Sequence, residues 1–274
     1  MEASFYRREG AAFVPSELAR SPWQDGMQNG AALGGLLAHL IDEVPSPAPM
    51  TVARLTIDIL GAAPAGVTQG RTRVVREGAR MQLVDAELVV GEVCVARATA
   101  LRTREAASPA MWPPVPEVPA PESIPRNMEI DRMLFGGTVD TRPIRGGIDQ
   151  SGPGAMWVRF GNRVVEGVPL SVLSRIAVLG DFGGGLSGAF DREEWIYPNL
   201  DIVIQLLRMP ERDWLMTDAV TYSAGNGIAQ SRAILADESG VFGTAHQTLF
   251  IAPRHTAQIA GGGAPAVDKE KSAA

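Results

Sequence analysis

Cysteine and histidine are scarce in this chain. Of its 274 residues a single one is cysteine, Cys94, which excludes an internal disulfide and fits a reducing compartment. The three histidines, His39, His246 and His255, are too few and too scattered for a His-rich metal site, and Cys94 adds no ligand spacing to them. Positive charge is short as well. The 25 Lys and Arg against 31 Asp and Glu leave a net charge of −6, which argues against a sequence-independent grip on nucleic acid. No apolar run approaches the roughly 20 residues of a spanning helix, and no basic amphipathic segment suggests a membrane surface. The opening M-E-A-S-F-Y-R-R-E-G lacks the apolar core of a signal peptide, so a cytoplasmic location is expected.

What remains is an ordinary globular composition, 45% hydrophobic and 20% charged, in a chain long enough for one large domain or two of about 130 residues. One break in composition is plain. Residues 105–125, E-A-A-S-P-A-M-W-P-P-V-P-E-V-P-A-P-E-S-I-P, carry proline at a density that removes backbone donors and favours extended chain, hence a stiff linker. The predicted units are 1–104 and 126–255, followed by a disordered tail at 256–274, A-rich, G-rich and charged.

The same order of elements occurs on either side of the linker. In the first half, Asn29–Glu43 (N-G-A-A-L-G-G-L-L-A-H-L-I-D-E) has Leu33, Leu36, Leu37, Leu40 and Ile41 at helical spacing, and the rest of its surface is small. Such a helix is buried on most sides. Gly34 and Gly35 each cost about 1 kcal/mol against Ala, which close backbone approach would offset. The runs V-A-R-L-T-I-D-I-L, M-Q-L-V-D-A-E-L-V-V and V-C-V-A-R-A-T-A-L then alternate as half-buried strands. In the second half, V-P-L-S-V-L-S-R-I-A-V-L-G-D is the helix, with Pro169 suited to its first turn. Strands are predicted at Leu200–Leu207, Trp214–Tyr222, Ile228–Leu235 and Val241–Ile251. Pro64 and Pro210 each close a first long strand, a repeat of roughly 146 residues. One buried helix followed by long antiparallel strands, twice, predicts an α+β fold of two sheets, each wrapped on its helix and joined edge to edge.

That order and its motifs resemble the TesB-like acyl-CoA thioesterases, a double-hotdog family. N-G-A-A-L-G-G-L-L at 29–37 is similar to the family's Gly-rich opening of the first helix. R-L-T-I-D-I-L and R-E-G-A-R-M-Q-L-V-D-A-E-L look like its first-half strands, and M-W-V-R at 156–159 also resembles the family. So does the run from L-D-I-V-I-Q-L-L-R through D-W-L-M-T-D-A and A-G-N-G-I-A to G-T-A-H-Q-T-L. The resemblance covers most of residues 20–104 and 126–254. It implies hydrolysis of an acyl-CoA thioester to free acid and CoA, with no metal or redox cofactor, by a water held between an Asp, a Gln and a hydroxyl.

Carried onto this sequence, the Asp is Asp201 and the Gln is Gln247, while the hydroxyl falls at Thr221, Tyr222 or Ser223. Asn29 and Gly30, opening the first helix, supply backbone donors for the oxyanion. The chemistry suits these types, since a carboxylate can take a proton from water that an amide and a hydroxyl orient. Asp201 shares a strand face with Val203 and Gln205, and the resemblance requires that face to meet Gln247 in a partly desolvated groove.

Competing readings are a non-catalytic acyl or hydrophobic-ligand binding module on the same scaffold, and a structural protein assembling through sheet edges; a homo-oligomer is compatible with any of them. His246, beside Gln247, points to the opposite strand face, and His39 reads as packed. G-G-G-L-S-G at 183–188 formally fits a dinucleotide fingerprint, but the A-F-D-R-E-E-W that follows is no helix, so a flexible loop without nucleotide is expected. Asp181 lacks the nearby His of a hydratase loop and is set aside.

Overall fold

The structure, a computed structural model, describes residues 3–254 except 115, 149 and 189. The predicted tail at 256–274 and His255 lie outside the described residues. In chain order the strands and α-helices are β1 (Ser4–Glu9), β2 (Ala12–Pro15), α1 (Gly30–Asp42), β3 (Met50–Ile59), β4 (Thr68–Glu77), β5 (Met81–Val90) and β6 (Val93–Arg104). After the linker come α2 (Met128–Met133), β7 (Val139–Arg145), β8 (Gly154–Phe160), β9 (Arg163–Val165), α3 (Val172–Gly180) and α4 (Phe182–Leu186). The chain closes with β10 (Trp195–Ile196), β11 (Asp201–Leu206), β12 (Leu215–Ser223), β13 (Ile228–Asp237), β14 (Gly240–Phe250) and β15 (Ala252–Pro253).

Thirteen strands form one sheet in the order β7-β8-β12-β13-β14-β11-β3-β6-β5-β4-β2-β1-β9. The two predicted sheets meet at β3 and β11, antiparallel, in the register Asp201↔Asp58 through Gln205↔Arg54. The sheet curls around α1 and α3. Its far ends are close in sequence, because β8 near one end and β9 at the other are separated only by Gly161 and Asn162. β9 pairs in parallel with β1, so a second-half strand seals the edge of the first half.

α1 forms because Leu33, Leu36, Leu37 and Ile41 fall on one face, and it is buried from Ala31 through Ile41. Each of those four side chains contributes about 1.5–3 kcal/mol by leaving water. Asn29 caps the helix, its Oδ1 accepting from the Ala32 N–H at 2.6 Å. The glycines do allow close approach. A Cβ on Gly35 would stand 2.9 Å from Val164 Cγ2 and 3.0 Å from Val178 Cγ2, and one on Gly34 3.2 Å from Ile57 Cδ1. α1 and α3 run antiparallel, with the start of α1 against the end of α3.

Two local predictions are corrected. α3 begins at Val172 behind the cap Ser171, so Pro169 precedes the helix and does not occupy its first turn. Residues 182–186 form the short helix α4 rather than a flexible loop, and Phe182, Gly183, Gly184 and Leu186 are buried. β4 carries no alternation to read, being exposed on both faces from Arg71 to Glu77.

Candidate active site

A cavity of about 970 Å³ opens at the amino end of α1. Trp23, Met27, Leu33, Phe135, Phe182 and Leu249 give it apolar walls, and Asn29, Gly30, Asp181, Asn199 and Gln247 bring polar groups into it. Asp181 arrives there because α3 stops at Gly180 and α4 starts at Phe182, leaving Asp181 as the cap between two helices. Asn199 Nδ2 donates to Asp181 Oδ1 at 2.7 Å, and the backbone N–H of Ala31 donates to the same carboxylate. Part of Asp181 is reachable from the cavity, yet protein surrounds it closely. Burial therefore pushes its pKa up to about 6, against the opposing pull of the Asn199 and Ala31 hydrogen bonds.

Gly30 permits this approach, because a Cβ there would collide with Asp181 Oδ1. Gln247 holds the helix break from the other side. Its Oε1 accepts from the Gly184 N–H at 2.7 Å and its Nε2 donates to the Gly180 carbonyl at 2.6 Å. One amide thus ties the residue before Asp181 to the start of α4, and its second N–H remains for a ligand. Behind α4, Ser231 and Thr221 continue the inward row across β13 and β12, opposite Gln247 in register. Thr221 Oγ1 lies 2.7 Å from Ser187 Oγ, which donates to the Gly183 carbonyl at 2.8 Å.

The carboxylate expected in the site is on the wrong face. Ile202 and Ile204 are fully buried against the helices, so alternation turns Asp201 outward. Its Oδ1 accepts from the Thr248 N–H at 2.6 Å, beside Asp58 and the Arg97 bound to it. Gln247 faces inward, with 3% of its surface exposed. Asp201 and Gln247 therefore lie on opposite faces of the sheet and cannot share a water. Tyr222 is 62% exposed on the outer face. Ser223 donates to the Ile228 carbonyl in a turn. Of the three candidate hydroxyls only Thr221 points inward, and it meets Ser187 rather than the cavity.

Asn29 is also reassigned. Its Nδ2 donates to the Leu18 and Arg20 carbonyls at 3.0 Å each, its backbone N–H to Ala19, and its Oδ1 caps the helix. No donor is left for an oxyanion, so it fixes the helix start and Gly30 lines the cavity. His246 faces outward with Val203, and His39 packs edge-on to Phe13 at 6.2 Å.

Sequence reasoning weighed Asp181 only as half of an Asp–His pair. A signal was present: the acid interrupts an apolar helix among Gly180, Gly183 and Gly184, whose absent side chains make room for Ile204, Ser231 and Gln247.

Residues 19–103 match the family model described as acyl-CoA thioesterase N-terminal domain, and residues 109–251 match the corresponding C-terminal domain. Among solved structures, a hot dog fold protein of unknown function from Alicyclobacillus acidocaldarius superposes with a TM-score of 0.73 at 16% identity, over 92% of this chain and 97% of its own. The tesB protein of Mycobacterium avium subs paratuberculosis gives 0.67 at 16% identity, over 90% and 96%. Acyl-CoA thioesterase II TesB2 from Mycobacterium marinum gives 0.66 at 17%, over 90% and 94%. At these identities the likeness establishes the double-hotdog fold. A search of curated proteins finds no match.

Proposed function

The chain belongs to the acyl-CoA thioesterase family, and on that premise we propose that it hydrolyses an acyl-CoA thioester with Asp181 as its general base. The carrying observation is that Asp181, with a pKa raised to about 6, stands in the cavity between the start of α1 and the Gln247 amide. A base is most useful when its pKa lies near the working pH. The ionised carboxylate takes a proton from a water that the second Gln247 N–H helps to orient. The resulting hydroxide attacks the thioester carbon, and the oxyanion turns toward the Gly30 N–H, where the helix dipole favours negative charge. The carbon–sulfur bond then breaks, and protonated Asp181 returns its proton to the departing CoA thiolate. Water thus supplies the hydroxyl of the acid and the hydrogen of the thiol.

The purified protein, given a panel of acyl-CoAs and a thiol reagent, is expected to release CoA. The rate of the preferred substrate should rise with pH through a limb near 6, as Asp181 ionises. Asp181→Asn should lower kcat by about 10²-fold or more, whereas Asp201→Asn should leave it unchanged. No release from any acyl chain would instead identify a ligand-binding module. Release that survives Asp181→Asn would remove this site from the reaction.

A further inference from the structure

We propose that Arg192 and Arg254 form an anion subsite in the cavity wall, and that the acyl group of the substrate ends in a carboxylate. The proposal rests on the thioesterase reading above. Three arginines line the cavity, Arg20, Arg192 and Arg254. Arg20 is ion-paired with Glu17 at 2.6 Å. The other two meet no carboxylate among the described residues.

They are held instead by neutral oxygens. Arg192 donates from Nε to the Tyr197 hydroxyl at 2.8 Å and from Nη2 to the Gly185 carbonyl at 2.7 Å. Its guanidinium lies 5.8 Å from the Tyr197 ring centre. Arg254 donates from Nε to the Arg192 carbonyl at 2.8 Å. Anchoring of this kind fixes a guanidinium without cancelling its charge, and leaves several N–H groups free in a largely apolar chamber. A carboxylate or phosphate is the group such a fork binds best.

Position separates the two. Gly185 follows Asp181 by four residues, one helical turn or about 6 Å along the axis. A short carbon chain spans the gap from a thioester at Asp181 to the arginine on Gly185. The CoA phosphates are removed from that thioester by the whole pantetheine arm and stand too far off. Trp23, packed on Tyr197 with ring centres 4.8 Å apart, gives the intervening methylenes an apolar wall. The substrate class is therefore the CoA monothioester of a short dicarboxylic acid.

Binding of non-hydrolysable thioether analogues tests this without turnover, so its outcome is independent of whether Asp181 is the base. Calorimetry would compare the glutaryl-CoA analogue with its pentanoyl-CoA counterpart of equal chain length. The wild type should bind the carboxylated analogue at least about tenfold more tightly, as a charge-assisted hydrogen bond allows. Arg192→Met and, separately, Arg254→Met should each reduce that preference and leave the pentanoyl affinity within about twofold. Arg192→Lys, which keeps the charge, should retain part of it. Equal binding of the two analogues by the wild type would overturn the proposal. So would variants that weaken both analogues alike, which would assign the arginines to the CoA phosphates or to the wall itself.

Discussion

At one end of the helix pair, Gln247 reaches from β14 to the carbonyl of Gly180, the residue before Asp181. At the other, Arg102 reaches from β6 to the carbonyl of Ile41, the residue before Asp42, at 2.6 Å. Each aspartate ends its helix and is hydrogen-bonded from the start of the other, Asp181 by the Ala31 N–H and Asp42 by Ser171. The two halves have thus built one arrangement twice. They differ in the strand residue and in what lies outside. Gln247 is neutral, and the large cavity borders Asp181. Burial raises the Asp42 carboxyl too, but Arg102 is a cation whose charge holds that rise back, and Asp42 is open to solvent. A neutral tether lets burial raise a carboxyl toward neutrality, whereas a cationic one opposes that rise. The first end can do proton chemistry; the second is a staple.

Substitutions at matched positions should separate those roles. The largest contrast is between Asp181→Asn, with the hundredfold loss of turnover given above, and Asp42→Asn, whose rate should stay within about twofold of the wild type. A comparable loss in both would mean that the ends are equivalent. Next is Arg102→Met, which strips partners from the Ile41 and Val44 carbonyls and from Gln82 Oε1. Denaturant titration should show about 2–3 kcal/mol of lost stability with kcat retained in the folded fraction. Lost turnover at full stability would instead place Arg102 in the reaction.

A smaller effect sharpens the first. Asp181 has a folded pKa above that of the unfolded chain, so its ionisation opposes folding. That cost is absent below about pH 4 and grows as pH rises through 6. Asp181→Asn removes it. The inactive variant should be the more stable protein at pH 8, by on the order of 1 kcal/mol, and the gain should vanish near pH 4. Equal melting temperatures at pH 8 would mean that the carboxylate is not strained by its surroundings.

The fold was legible where periodicity was strong. The apolar stripe of 33–41 gave α1, and the alternation in β3, β5, β6 and β11–β14 gave the strands. β4 escaped because exposure on both faces erases alternation, and α4 because three glycines in five residues carry no helical signal. The site was half legible. Gln247 and Gly30 lie in it, the first carried there by the family resemblance and the second by a helix start that can be read locally. Asp201 was misplaced because its function required a face that Ile202 and Ile204 already fill. Asp181 sits at a break between helices, where neither period applies and only the three-dimensional meeting of α1 and α3 reveals the acid.

The two-residue link between β8 and β9 makes the molecule a hoop rather than a pair of leaves. Gly161 and Asn162 carry the chain from one rim of the sheet to the other, and β9 is laced to β1 by parallel pairing. A cut in the proline-rich segment therefore severs a strap and not a joint. Chain nicked at Met111 or Trp112, which are 94% and 64% exposed, should still elute as one particle and melt in one transition. Two separable fragments would mean that the lacing does not hold. With it in place, neither half can loosen without opening the other's edge, and the cavity at the start of α1 borrows its rigidity from strands on both sides of the linker.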